Sequence, residues 1–387
     1  MSVGRAAVVA LALLAPVVGA GAEGNFSQHP GFAAYFRAHP PTGQAASPAE
    51  RRLLAQHRPR FYLAEGEAGP IDFYRDYVGS ADLVDGAGRP VEPVDREALV
   101  RLGRDPGAVL THRPRPPRHP PVAYASIEHA TVPMPYPDGT VTESLRFLTY
   151  HLAFAHSGLP AGLGGVAEAL ISLVGDPGDW HQLDHYTAAT VVIDADARPI
   201  ALVLQQHNYQ RTYLVGETVA MPDDGRLRVD VARRSNELYP HRSTPTRRRA
   251  VRFTDPAGWR YLLGGGSAPL ASADDLTHGQ REVGYGLEFL ADTDPFYLFH
   301  GYLGGRRALP GRDGPPGAAY NTWPAHKPWA VALFLGYWRD DHAGDLERLE
   351  RTVGAGGDYL GFARAQAPVL AANLRCLRNA GEGCRLR

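Results

Sequence analysis

The stretch GDWHQLDHYTAATVVIDADARPIALVLQQHNYQRTYLVG, residues 178–216, decides how the chain is read. Two β-rich runs flank a polar loop, Asp194-Ala-Asp-Ala-Arg-Pro199, and that pattern signals a hairpin. Residues two apart in a strand share a face. Asp179, His181, Leu183, His185 and Thr187 therefore line one face of the first run. Val203, Gln205, His207, Tyr209 and Arg211 line one face of the return run. With Ile193 opposite Pro199, His185 falls opposite His207, and His181 opposite Arg211. Directly opposed residues have Cβ atoms about 4.5–5.5 Å apart. Two imidazoles with the Asp179 carboxylate further along suit a shared divalent cation, because such ligands suit zinc, iron, manganese or nickel. The geometry is fragile. A slip of one residue in one strand puts the histidines on opposite faces. The competing reading makes them structural, hydrogen-bonded histidines.

Outward from this stretch, the chain alternates short β-rich segments with Gly- and Pro-rich loops. Thr142 to His156 reads as a strand, with Phe147, Thr149, His151 and Ala153 on one face and Leu148, Tyr150, Leu152 and Phe154 on the other. Arg226 to Ala232 and Arg247 to Phe253 are further strands. Ser47-Pro-Ala-Glu50 opens a helix, with Ser as N-cap, Pro at the first helical position and Glu three residues on. Asp95–Leu102, Asp345–Thr352 and Gly361–Asn379 read as helices. The long irregular run from Gly301 to Pro324 has the character of a functional loop. The expected fold is mainly β, an antiparallel β-sandwich core with helical additions at the N- and C-terminal ends.

The first 22 residues read as a secretory signal: Arg5, an apolar run from Ala6 to Val18, and Ala20-Gly-Ala22 as the cleavage site. The apolar run is too short for a membrane span. The expected organisation is a signal peptide over 1–22, a flexible arm over 23–48, the β-sandwich domain with long loops over 49–324, and a helical C-terminal extension over 325–387 packed on that domain. The mature protein is expected to be secreted or periplasmic. There are two cysteines, Cys376 and Cys384, and in an oxidising compartment a close pair forms a disulfide. A formal net charge of −1 over 387 residues argues against nucleic acid as a partner. No Gly-x-Ser-x-Gly is present to supply a serine nucleophile.

Four segments occur in a recognisable order: the aromatic strand Leu145–His156, the Gly-Asp-Trp box Gly175–Tyr186, the Gln-His strand Leu202–Tyr209, and the Tyr-Pro segment Arg234–His241. Together they resemble the vacuolar-protein-sorting family of the type numbered sixty-two, whose box is Gly-Asp-Trp-Glu followed by Ser-Gln-His. More distantly they are similar to necrosis-inducing secreted toxins, which carry His-Asp-Trp-Glu at a divalent-metal site on a β-sandwich. The resemblance covers about 100 of 387 residues. Asp179, Trp180 and Gln206-His207 match it. His181 stands where those families have Glu, and Glu237 stands where the sorting family commonly has His. The resemblance implies a secreted β-sandwich and brings no known reaction.

Three readings of function stay open at this level. The first is a metal-dependent hydrolase in which Asp179, His181, His185 and His207 hold the ion and Glu237 is a further ligand or base. The second is a non-catalytic module in which Trp180, Tyr186, Tyr209, Tyr213 and Arg211 meet a small molecule or glycan. The third is a structural envelope protein.

Overall fold

A computed structural model describes residues 40–112, 115–158, 169, 172, 181–184, 187–206, 209–242, 247–249, 273–276, 280–304, 337–339, 359–379 and 386. The fold is mainly β. Its largest sheet has six strands. They are β4 (Val122–Tyr136), β5 (Gly139–Leu152), β8 (Ala188–Ile193), β9 (Pro199–Gln206), β10 (Tyr209–Leu214) and β16 (Gly286–Phe289), in the order β10-β9-β8-β5-β4-β16. All neighbours are antiparallel except β16, which runs parallel to β4. A four-stranded sheet is built from β1 (Arg60–Ala64), β11 (Arg228–Val231), β12 (Leu238–Pro240) and β15 (Gln280–Glu282), in the order β12-β11-β1-β15. Three further pairs are β2 (Ala81–Val84) with β3 (Val109–His112), β6 (Phe154–Ser157) with β7 (His181–Asp184), and β13 (Arg247–Arg249) with β14 (Ala273–Asp275).

The parity of the aromatic strand is as its alternation predicts. Leu148, Tyr150, Leu152 and Phe154 enter one core, together with Phe61 and Leu63 of β1, Val229 and Val231 of β11, and Leu238 of β12. This core therefore draws side chains from both sheets. Phe147 and Leu145 enter a second core on the opposite face, with Val192, Val203 and Leu214. There the helix α4 (Tyr359–Arg378; α1 to α3 are placed below) contributes Leu370, Ala371 and Leu374. Because both faces of β8 are covered, all six of its residues are buried. That explains why this part of the opening stretch is apolar without alternation.

The N-terminal helix α1 (Pro48–Gln56) forms as its cap predicts. The Ser47 hydroxyl accepts from Glu50 N–H at 3.3 Å, and the Glu50 carboxylate accepts from Ser47 N–H at 2.7 Å. Asp95 caps the short helix α2 (Arg96–Arg101), and Asp294 caps α3 (Pro295–Leu298). A third core gathers Phe73, Tyr77, Leu99, Tyr124, Leu183 and Phe296 beside the large sheet.

The opening hairpin needs correction. Ile193 does pair with Pro199. A register shift between Val192 and Ile193 then sets Val192 opposite Ala201 and Ala189 opposite Leu204. This is the one-residue slip to which the histidine geometry is sensitive. Pro199 has no N–H for the ladder, and a bulge accommodates that loss. Beyond the bulge neither run is one continuous strand. In the first, β7 pairs with β6, whereas β8 pairs with β5 and β9. The return run reverses between Gln206 and Tyr209, so β10 folds back along β9. The pairing of Gln206 with Tyr209 leaves two residues between the strands, the length of a hairpin turn. Arg211 consequently lies opposite Leu204, not opposite His181.

Candidate functional site

The four segments singled out in the sequence meet, though not through the expected register. Their meeting point is the connection from β11 to β12, Ala232 to Glu237. It carries two left-handed non-glycine residues, Arg234 at φ 63° and Asn236 at φ 58°. Left-handed φ at a non-glycine residue is uncommon and costs energy unless neighbours hold it. Here they do. Within the loop, Ala232 N–H donates to Glu237 O at 2.8 Å and Asn236 N–H to Ala232 O at 3.2 Å. Outside it, Gly158 N–H donates to Arg234 O at 2.6 Å and Arg233 N–H to Asp275 O at 3.1 Å. The Glu67 carboxylate accepts from Arg234 N–H at 3.2 Å and Arg233 Nε at 3.1 Å.

Three side chains carry the convergence. Asn236 Nδ2 donates to His156 O at 3.0 Å and to the Asp184 carboxylate at 3.2 Å. It thereby ties the aromatic strand and the Gly-Asp-Trp box to the Tyr-Pro segment. Gln206 Nε2 donates to Leu238 O and to the Tyr213 hydroxyl, both at 2.7 Å, and brings in the Gln-His strand. Beneath the loop, the fully buried Asp274 accepts hydrogen bonds from Ser235 Oγ at 2.6 Å and from the Tyr239 hydroxyl. A buried carboxylate with two hydroxyl donors is compensated for its loss of water. β7 is tied on its other side through Gln182 Nε2, which donates to His112 O at 3.2 Å. The His112 imidazole is stacked on Tyr77 at 4.5 Å. Burial pushes its pKa below the ordinary histidine value, and Arg115 and His156 push it the same way.

Asp179, Trp180, His185 and His207 lie outside the described residues. For His181 and Tyr209 only the backbone is placed: His181 pairs with Ser157, and Tyr209 with Gln206. Their two immediate neighbours are informative. Asp184 precedes His185 and is bound to Asn236; Gln206 precedes His207 and is bound to Leu238. Asn236 and Leu238 are two residues apart, so their Cα atoms lie within about 7 Å. Glu237 sits between these anchors and is half-buried.

Arg211 and Tyr213, expected to meet a ligand, are both buried. The Arg211 guanidinium lies between Tyr213 and Trp338, 4.5 and 4.2 Å from the ring centroids, and donates to Trp338 O at 3.1 Å. It ties β10 to the segment 337–339. Cys376 is on α4 and Cys384 lies outside the described residues, among which no free cysteine is found.

Sequence reasoning passed over Asp184, Asn236, Ser235 and Asp274. By the two-residue alternation Asp184 falls on the face away from the histidines, and nothing local marks Asp274 as a partner of a loop 39 residues before it. Asn236 had a readable signal, since Asn is enriched at left-handed positions between strands.

Among the described residues no three His, Cys, Asp or Glu side chains stand close enough to hold a metal ion, and no helix is long and apolar enough to cross a membrane. No protein family matches the chain, and neither the curated proteins nor the solved structures yield a match.

Proposed function

We propose that the protein is an exported β-sandwich protein that holds a divalent metal ion at the Ala232–Glu237 connection and uses it in hydrolysis. One observation carries this reading. The residues that precede His185 and His207 are fastened to the same loop, two positions apart, on either side of Glu237. This common anchoring of Asp184 and Gln206 supports a shared site for the histidines that follow them. Asp179 and His181 belong to the same box and complete a set of imidazole and carboxylate donors that suits a borderline cation. A bound ion with an open position acidifies a water molecule for attack on a substrate bond. Glu237 would be the neighbouring carboxylate available as the base.

The shared core of the two sheets supports the sandwich architecture. Export follows from the leader pattern of residues 1–22, and the same compartment would join Cys376 to Cys384 at the chain end. The test is elemental analysis of the purified protein. A stoichiometric divalent ion is expected, absent from a His185→Ala/His207→Ala double variant that keeps its β-rich circular dichroism. An unchanged metal content in that variant sinks the proposal. Glu237→Gln is expected to retain the ion and lose turnover.

A further inference from the structure

The outer face of the four-stranded sheet carries a second constellation, which the metal reading does not use. Tyr239, Asp230 and Tyr62 form one row across β12, β11 and β1. The next row is His241, Arg228 and Arg60. Arg60 pairs with Arg228, and His241 N–H donates to Arg228 O at 3.1 Å, which extends the β11–β12 ladder by one step. Directly opposed side chains in such a ladder stand about 4.5–5.5 Å apart at Cβ.

His241 is fixed on three counts. Its Nδ1 is 2.6 Å from Oδ1 of Asp230, a carboxylate that is itself almost fully buried. Its ring is stacked on Tyr62 at 4.4 Å and 26°. The other Asp230 oxygen accepts from Arg242 N–H at 3.3 Å, which keeps the carboxylate from turning. A histidine held at Nδ1 by a carboxylate presents Nε2 in a fixed direction. The imidazole remains partly open to solvent.

Arg60 is paired with Asp224 and Glu282. Asp230 is taken by the imidazole and the Arg242 amide. Arg228 is exposed, and among the described residues no ion pair or hydrogen bond engages its guanidinium.

We propose that Arg228 and His241 form a binding site for the oxyanion group of a ligand, a phosphate or a carboxylate. Arg228 offers a planar fork of donors. With Nδ1–H committed to Asp230, a proton on Nε2 makes the imidazole a second donor beside it. Asp230 and Tyr62 are positioning residues for the ring. The site needs no metal and stands independently of the Ala232–Glu237 connection.

The experiment follows the imidazole resonances of His241 in the full purified chain, with a chelator present, during titration with inorganic phosphate and separately with acetate. A saturable shift with phosphate is expected. Arg228→Gln, a change at an exposed side chain, weakens it at least about tenfold, the loss of one charge-assisted bidentate contact. His241→Gln, followed by calorimetry, weakens phosphate binding to a similar degree. Saturation by phosphate alone identifies a phosphate-bearing ligand, and equal saturation by acetate identifies a carboxylate. No saturable shift with either anion, or equal affinity in Arg228→Gln, overturns the proposal. Because the chelator removes the ion, failure here leaves the metal reading standing.

Discussion

His151 on β5 is completely buried, and among the described residues neither ring nitrogen has a side-chain hydrogen-bond partner. Its surroundings are the rings of Phe296 and Tyr297, at 6.0 and 5.3 Å and edge-on. Burial drives its pKa from the ordinary 6.5 down to about 3, and the backbone of its cross-strand neighbour Tyr124 offsets a small part. The consequence for stability has a definite sign. Between 6.5 and about 3 the unfolded chain holds more protons at this site than the folded chain, so stability falls as pH falls through that window. The loss is complete only below the folded value, and by pH 4 it amounts to about 3 kcal/mol. Burial lowers His57 and His112 as well, so they act in the same direction. His151→Phe should keep its neutral-pH stability within about 1 kcal/mol, since it replaces a desolvated polar ring with an apolar one. It should also flatten the decline toward pH 4, measured by denaturant unfolding at both pH values. Parallel slopes in the two proteins would refute this account. Asn236 makes the complementary case of a side chain that cannot be spared. Asn236→Ala loses both tethers and leaves alanine at a left-handed φ, for a cost of about 2–4 kcal/mol. Asn236→Gly loses only the tethers and should be milder by about 1 kcal/mol. Equal unfolding midpoints for the two variants would show that the backbone conformation contributes nothing.

At the level of elements, legibility follows from where the deciding partner lies. The two faces of the aromatic strand were readable because alternation is a local property, and so was the capping box of α1. The partner of residues 181–193 was not. β8 pairs with β5 and β9, whereas β7 leaves that sheet and pairs with β6. The aromatic strand breaks at the same level, around Ala153, and Leu152 N–H donates to Thr187 O at 2.9 Å where the two bend together. A pattern within one hairpin cannot report partners 24 to 47 residues earlier; tertiary packing decides them. The C-terminal helix poses a different question, namely which of its contacts holds it. Arg378 reaches Glu143 at 2.6 Å, and Arg375 reaches Asp138, both on or beside the β4–β5 hairpin. Arg375 and Asp138 are each more than a third exposed, so that pair contributes at most about 1 kcal/mol. Leu374 is buried against the large sheet, and truncating such a side chain costs about 2–5 kcal/mol. Leu374→Ala should therefore lower the unfolding midpoint far more than Arg375→Ala. The reverse order would mean that charge, not packing, docks α4.

Across the whole molecule, residues of the six-stranded sheet share one core with residues of the four-stranded sheet and a second core with α4. Two sheets alone would leave one wet face on each, with polar residues alternating outward; here α4 lies over one such face. The run from Ala188 to Ile193 contains no charged residue and only one hydroxyl, so it already required two apolar faces. The covering element lies about 170 residues further on, and nothing local names it. Removal of residues 359–387 tests the arrangement. It uncovers Met134, Phe147, Val192, Val203 and Leu214 on one continuous face. Each fully exposed side chain of this kind costs about 1.5–3 kcal/mol, so their sum rivals the total stability of an ordinary domain. The truncated chain should bind an apolar dye, associate, and lose cooperative unfolding. The Arg228–His241 constellation lies on the other sheet's outer face, away from this core, so its weakening in the same truncation would come through unfolding alone. A truncated chain that stays monomeric and unfolds cooperatively would show that the first core suffices, and would reduce α4 to an appendage.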